Sequence, residues 1–206
     1  MISVRLVKYA AAALAAAFLV PASALAGKGD INAGRAKAEA ACAPCHGEAG
    51  LSQMEGVPHL AANIDLFLQW QLVYFRTGRR SNEAMSAVSA DLTDADINNL
   101  GAYFASLTPV PAPASADDKP KLTEAGKTVV EAAHCANCHG DGFLGARAAA
   151  RIANQREDYL IKALADYRAA KRPSQGVGAM VEAASSLSDD DIAAAAHYLS
   201  RLPAAQ

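Results

Sequence analysis

Apolar residues fall at helical spacing in two matching sets along this chain. One runs through Ile64, Phe67, Leu68, Leu72 and Phe75, the other through Leu160, Ala163, Leu164 and Tyr167. Recurrence at i, i+3 and i+4 is that of a helix with one buried face. A short Ala-rich helical pattern precedes each set, over 34–41 and 126–133, and a further helix follows it. Those closing helices bury Ile97, Leu100, Phe104 and Leu107 in one case and Ile192, Ala196 and Leu199 in the other. Thr93-Asp94-Ala95-Asp96 and Ser188-Asp189-Asp190-Asp191 open them, each with a hydroxyl to cap the helix and acids in the first turn, where the helix dipole favours them. No stretch alternates with period two. The pattern predicts an all-α chain in which one helical unit occurs twice.

Two segments stand outside the repeat. In residues 1–26, Arg5 and Lys8 precede an apolar run from Tyr9 to Val20, Pro21 breaks it, and Ala24-Leu25-Ala26 offers a small-x-small cleavage pattern. This reads as a signal peptide with the mature chain starting at Gly27. The apolar run is shorter than the ~20 residues a membrane-spanning helix needs, and an uncleaved anchor is the alternative. Residues 108–120, rich in Pro, Ala and Asp, read as an extended, semi-rigid linker. The domains predicted on either side span 27–107 and 121–206. Without residues 1–26 the chain keeps 17 Lys+Arg against 21 Asp+Glu, a net of −4, which argues against nucleic-acid binding.

Each half is small for an independent core. Each also carries one copy of a five-residue motif, Cys42-Ala43-Pro44-Cys45-His46 and Cys135-Ala136-Asn137-Cys138-His139, and together these use all four cysteines. C-x-x-C-H is the attachment signature of c-type haem. Two thiols one helical turn apart add to the two porphyrin vinyl groups, and the following His puts an imidazole nitrogen on the iron. A structural zinc site would bring the Cys pairs closer in sequence, and a thioredoxin-like pair does not call for His after the second Cys. The expected cofactors are therefore two covalent haem c groups, held by Cys42, Cys45, Cys135 and Cys138, with His46 and His139 as axial ligands. A buried haem would supply apolar contact that such small domains lack.

A second axial ligand comes from the methionines. Met1 belongs to the leader, and Met54 lies only eight residues after His46, on the attachment side of the haem. Met85 and Met180 remain, one per half. They follow their motif His by 39 and 41 residues and precede Leu92 and Leu187 by seven each. This matched placement assigns them as the sixth ligands. His59, His134 and His197 read as surface or satisfied helix residues. Trp70, Tyr74, Tyr159 and Tyr167 read as core packing with a polar tip, or as hydrogen-bond donors to a haem propionate. The basic turns Arg76–Arg80 and Arg168–Arg172 suit helix C-termini and, secondarily, offer cations to propionates or to an acidic partner.

These residues together resemble a dihaem class I cytochrome c, of the cytochrome c4-like family, over the whole chain after residue 26. The resemblance implies two tandem class I cytochrome c domains related by a pseudo-twofold axis, with propionate edges facing the interface. It also implies a proline carbonyl about a dozen residues after each motif His, accepting its Nδ1–H. Pro58 fits that place. The second half departs, with Ala150-Arg151-Ile152 and no proline, although a backbone carbonyl there can still accept the bond.

The function expected is that of a periplasmic electron carrier, not an enzyme. It would move single electrons between a respiratory donor, either a quinol-oxidising complex or a dehydrogenase, and a terminal oxidase or reductase. Its partners would be those redox proteins and no nucleic acid. It would be a monomer or weak dimer, at most peripherally associated with the inner membrane. The alternatives are the dihaem subunit of a periplasmic dehydrogenase complex with a flavin or molybdenum partner and, further off, a haem enzyme with a displaced Met.

Overall fold

The computed structural model describes residues 29–109, 111, 115–173 and 178–203. The expected signal peptide lies outside these residues, as does part of the expected linker. Among the described residues the regular structure is helical, apart from one isolated bridge between Ala146 and Ala149. The chain order is α1 (Ile31–Ala41), α2 (Ala43–His46), α3 (Asp65–Arg76), α4 (Glu83–Ala90) and α5 (Asp94–Ser106), then α6 (Pro120–Ala132), α7 (Ala136–His139), α8 (Glu157–Arg168), α9 (Ala179–Ser185) and α10 (Asp189–Arg201). A single 3₁₀ turn follows α2 and another follows α7. The second five helices repeat the first five.

Helix starts follow local chemistry. Asp30 caps α1 by accepting from Asn32 N–H and Ala33 N–H, so that helix begins three residues before the Ala-rich pattern. α6 begins earlier still, at Pro120, whose fixed φ and missing N–H suit the first helical position. Thr93 and Ser188 cap α5 and α10 as the sequence predicts, and Asp96 and Asp191 reach back to complete the capping boxes.

In each half the first and last long helices pack against one another, α1 on α5 and α6 on α10. The approach is close enough to require glycine. A Cβ on Gly34 would lie 2.1 Å from Asn99 O, and one on Gly126 would lie 2.1 Å from Ala194 O, both inside van der Waals contact. α3 packs on α5 and α4, and α8 packs on α10 and α9. The first core gathers Ala38, Leu68, Leu92, Ile97, Leu100, Tyr103 and Phe104. The second, built on Val130, Leu160, Ala195, Ala196 and Leu199, has fewer large side chains. Further apolar side chains of both halves line a cavity.

Candidate haem sites

One continuous cavity of about 980 Å³ runs through both halves. Leu68, Leu72, Phe75 and Phe104 line it in the first half, and Leu160, Leu164, Leu187 and Leu199 in the second. All eight residues expected to hold haem border this same space: Cys42, Cys45, His46, Met85, Cys135, Cys138, His139 and Met180.

Each C-x-x-C-H motif forms one helical turn. Cys45 and His46 both donate backbone N–H to Cys42 O, at 3.2 and 2.9 Å, and Cys138 and His139 do the same to Cys135 O at 3.3 and 3.0 Å. That turn presents the paired thiols and the following imidazole together. No disulfide joins any of the four cysteines. Before a haem is attached, burial pushes the Cys42 thiol up to about 11 and raises that of Cys135.

The two histidines are oriented alike. His46 Nδ1 donates to Pro58 O at 3.0 Å and His139 Nδ1 donates to Ala150 O at 2.7 Å. A carbonyl oxygen can only accept, so Nδ1 carries the hydrogen and each ring keeps its Nε2 lone pair for a metal. Burial lowers both rings' affinity for a further proton, and the carbonyl bonds only partly oppose this. Both therefore remain neutral imidazoles, the form a metal needs. Without a proline, the second loop keeps its acceptor in place through backbone bonds. Ile152 and Ala153 N–H both donate to Phe143 O, just as Leu60 and Ala61 N–H donate to Gly50 O.

Met85 sits in the first turn of α4, where Asn82 caps the helix by accepting Met85 N–H at 2.9 Å. Met180 is the second residue of α9. Both are partly buried, whereas Met54 is 47% exposed on its loop.

The basic turns divide by role. Arg76 and Arg168 join the end of one helix to the start of the next. Arg76 donates to Leu92 O and Asp94 at 2.7 and 2.6 Å, and Arg168 donates to Leu187 O and Asp189 at 2.8 and 2.5 Å. Arg80 and Arg172 turn inward and converge on the same two groups, Gln71 Oε1 and Tyr159 Oη. Arg172 is 4% exposed, and no salt bridge among the described residues involves either guanidinium. Burial pushes the Tyr159 phenol up, but these two cations outweigh it and bring it down to about 8. Buried cations held only by neutral groups are costly unless an anion joins them. Arg172 Nε and Arg151 Nη2 are buried without a partner. An apolar cavity with thiol pairs and neutral imidazoles at its wall and orphaned guanidinium donors beside it fits haem, whose propionates would supply the missing anions.

The other candidates take structural roles. His197 is buried on α10, its Nδ1 3.0 Å from Glu157 and its Nε2 3.3 Å from Asp117. His134 is exposed. Trp70 is 41% exposed and stacks at a tilt on the buried Tyr74. Arg80 and Arg172, expected to meet propionates only as a second role of the basic turns, turn inward here, and the buried amides Asn63 and Gln155 on the same interface were not foreseen. The available signal is register: each pair is 92 residues apart in a chain that repeats.

Comparison with known proteins gives the same assignment. A family model described as cytochrome c matches residues 123–203, and one described as cytochrome c oxidase, cbb3-type, subunit III matches residues 29–104. Cytochrome c4 of Thiocapsa roseopersicina is 35% identical, over 84% of this chain and 93% of the relative. The chain belongs to the cytochrome c4 family. The crystal structure of reduced cytochrome c4 from Pseudomonas stutzeri superposes with a TM-score of 0.77 at 26% identity, covering 84% of this chain and 99% of that one. A thiosulfate dehydrogenase electron acceptor from Thiomonas intermedia is 28% identical over 80% of this chain and 79% of its own length. As in other cytochromes c4, the chain carries two covalent haem c groups, one per C-x-x-C-H motif, and serves electron transfer.

Proposed function

We propose that the chain is a periplasmic carrier of single electrons, with haem domains at 27–107 and 121–206 and a leader at 1–26 that is removed on export. Cys42 and Cys45, and Cys135 and Cys138, attach the haems. His46 with Met85, and His139 with Met180, are the axial ligands. Bound haem supplies one-electron chemistry at iron, and Met/His ligation raises its potential. The chain's own residues supply the rest. The paired carbonyls of Pro58 and Ala150 hold the imidazoles in one tautomer and one orientation. The apolar wall limits water, and the buried guanidiniums of Arg80 and Arg172 offer donors to propionates between the halves.

The observation that carries this reading is the duplication of one complete ligand set on one cavity. With Met and His both engaged, neither half offers an open position for inner-sphere chemistry, so the protein acts as a carrier and not as an enzyme. Export follows from the leader and from haem attachment outside the cytoplasm, and among the described residues no helix is long and apolar enough to cross a membrane. The donor is a quinol-oxidising complex or a dehydrogenase, and the sink is a terminal oxidase or reductase. Mixing the reduced holoprotein with aerated oxidase-containing membranes, against a control without membranes, tests this. Reoxidation of both haems, without peroxidase turnover by the isolated protein, is expected. Enzyme-like turnover of peroxide by the six-coordinate protein would contradict it.

A second reading is favoured by the relative named as a thiosulfate dehydrogenase electron acceptor. In it the donor is a soluble dehydrogenase that the chain accompanies as a subunit. Stable co-purification with a dehydrogenase, and reduction by it faster than by quinol-oxidising membranes, selects this reading.

A further inference from the structure

The two halves meet through a crossed pair of side-chain amides. Asn63, just before α3, accepts Arg151 N–H on Oδ1 at 3.0 Å and donates Nδ2 to Arg151 O at 3.3 Å. Gln155, just before α8, accepts His59 N–H on Oε1 at 2.8 Å and donates Nε2 to His59 O at 2.9 Å. An amide is the neutral side chain that sets a donor beside an acceptor, and here it takes both backbone groups of one residue, as a paired strand residue does. Each amide is itself anchored at its own helix start. Asn63 Oδ1 also accepts Ile64 N–H at 2.9 Å, and Gln155 Oε1 also accepts Arg156 N–H at 3.0 Å. Both side chains are buried, at 6% and 7% exposure, so a lost bond leaves polar groups unpaired.

The clamped residues are the neighbours of the carbonyls that orient the histidines. His59 follows Pro58, the acceptor for His46, and Arg151 follows Ala150, the acceptor for His139. The peptide group between Pro58 and His59 includes both the oxygen that His46 uses and the N–H that Gln155 holds. Between Ala150 and Arg151 the same peptide serves His139 and Asn63. A planar peptide moves as a unit, so fixing its N–H fixes the direction of its C=O.

We infer that Asn63 and Gln155 are crossed positioning residues, each setting the hydrogen bond of the axial histidine in the opposite half. This rests on the assignment of His46 and His139 as axial ligands. A firm Nδ1–H···O bond makes the imidazole a stronger electron donor and stabilises ferric iron. Loosening the acceptor raises the potential of that haem. The haem of each half is thereby tuned by a residue of the other, and any change in how the halves dock reaches both irons through two short paths.

The test is a haem-resolved redox titration of the full dihaem protein, followed through the separate paramagnetically shifted NMR signals of the two haems. The Met85→Ala and Met180→Ala variants assign those signals. Gln155→Met is expected to raise the potential of the haem on Cys42 and Cys45 and leave the other at its wild-type value, and Asn63→Leu is expected to do the reverse. Gln155→Asn, neutral and one methylene shorter, gives the same pattern more weakly and serves if Gln155→Met does not fold. A shift confined to the variant's own half, an equal shift in both haems, or no shift overturns the inference. A wild-type protein without His-ligated low-spin haem would instead overturn the ligand assignment, so the two failures are distinct.

Discussion

Met85 and Met180 differ from Met54 in what holds them. Met85 has its backbone pinned by the Asn82 cap and Met180 sits in the first turn of α9, while Met54 lies exposed on a loop. Met85→Ala and Met180→Ala are each expected to leave one haem high-spin or His/water-ligated and the other unchanged. The optical spectra of the two variants check this, and survival of both Met–iron charge-transfer signals in either one rejects that ligand. These residues were legible in the sequence because ligand chemistry and spacing constrain them directly: two thiols in one turn, the next His, one Met at a matched distance in each half. Ala150 was half legible. The carbonyl that a His needs belongs to the backbone, and no side chain marks it. Arg172 reads in the sequence as part of a basic turn at a helix C-terminus, with propionate pairing only as a second role. Its burial between Tyr159 and Gln71 comes from the docking of the halves, which local pattern does not encode.

At the scale of elements, the sequence-derived helices stand because their caps and apolar faces agree. The starts that moved, Ile31 and Pro120, lie in polar stretches that periodicity cannot see. The crossings of α1 on α5 and α6 on α10 are set by glycine. Gly126→Ala puts a methyl against the Ala194 carbonyl and is expected to destabilise the protein by about 1–3 kcal/mol, as overpacking does. Thermal unfolding of the holoprotein measures it, and an unchanged midpoint would mean that the helices part without cost. The capping boxes carry a pH dependence. Hydrogen bonds from Thr93 hold the Asp96 carboxyl below the usual carboxylate range, and those from Ser188 do the same for Asp191. A carboxyl depressed in the folded state adds stability above its unfolded pKa, and that stability disappears as pH falls through the folded value. Both carboxyls are only partly buried, so solvent screens the effect. Thr93→Ala and Ser188→Ala should each lower the melting temperature at neutral pH and flatten its decline in acid. An equally steep acid limb in both variants would show that the boxes contribute nothing to it.

At the scale of the molecule, the sequence foretold the repeat and not the interface. Two helical units around two cofactor sites follow from duplicated motifs and duplicated apolar faces. How the units dock depends on single polar side chains, Asn63 on Arg151 and Gln155 on His59, whose partners lie 88 and 96 residues away. Neither amide belongs to the apolar period of a helix, and only its register between the halves marks it. The small second core, with Val130, Leu160 and Leu199 as its large buried members, makes sense only with the cavity beside it filled. Haem is thus part of the packing as well as the redox group.

The proposed carrier role rests on six-coordinate iron in both halves, bound by His and Met, with no substrate bound at the metal. A redox-titrated optical spectrum of the isolated holoprotein, recorded with and without carbon monoxide, tests it most directly. Two low-spin haems per chain are expected, with Met–iron charge-transfer absorption from both in the ferric state and a reduced spectrum that carbon monoxide leaves unchanged. A high-spin component, or rapid carbon monoxide binding by either reduced haem, would contradict it.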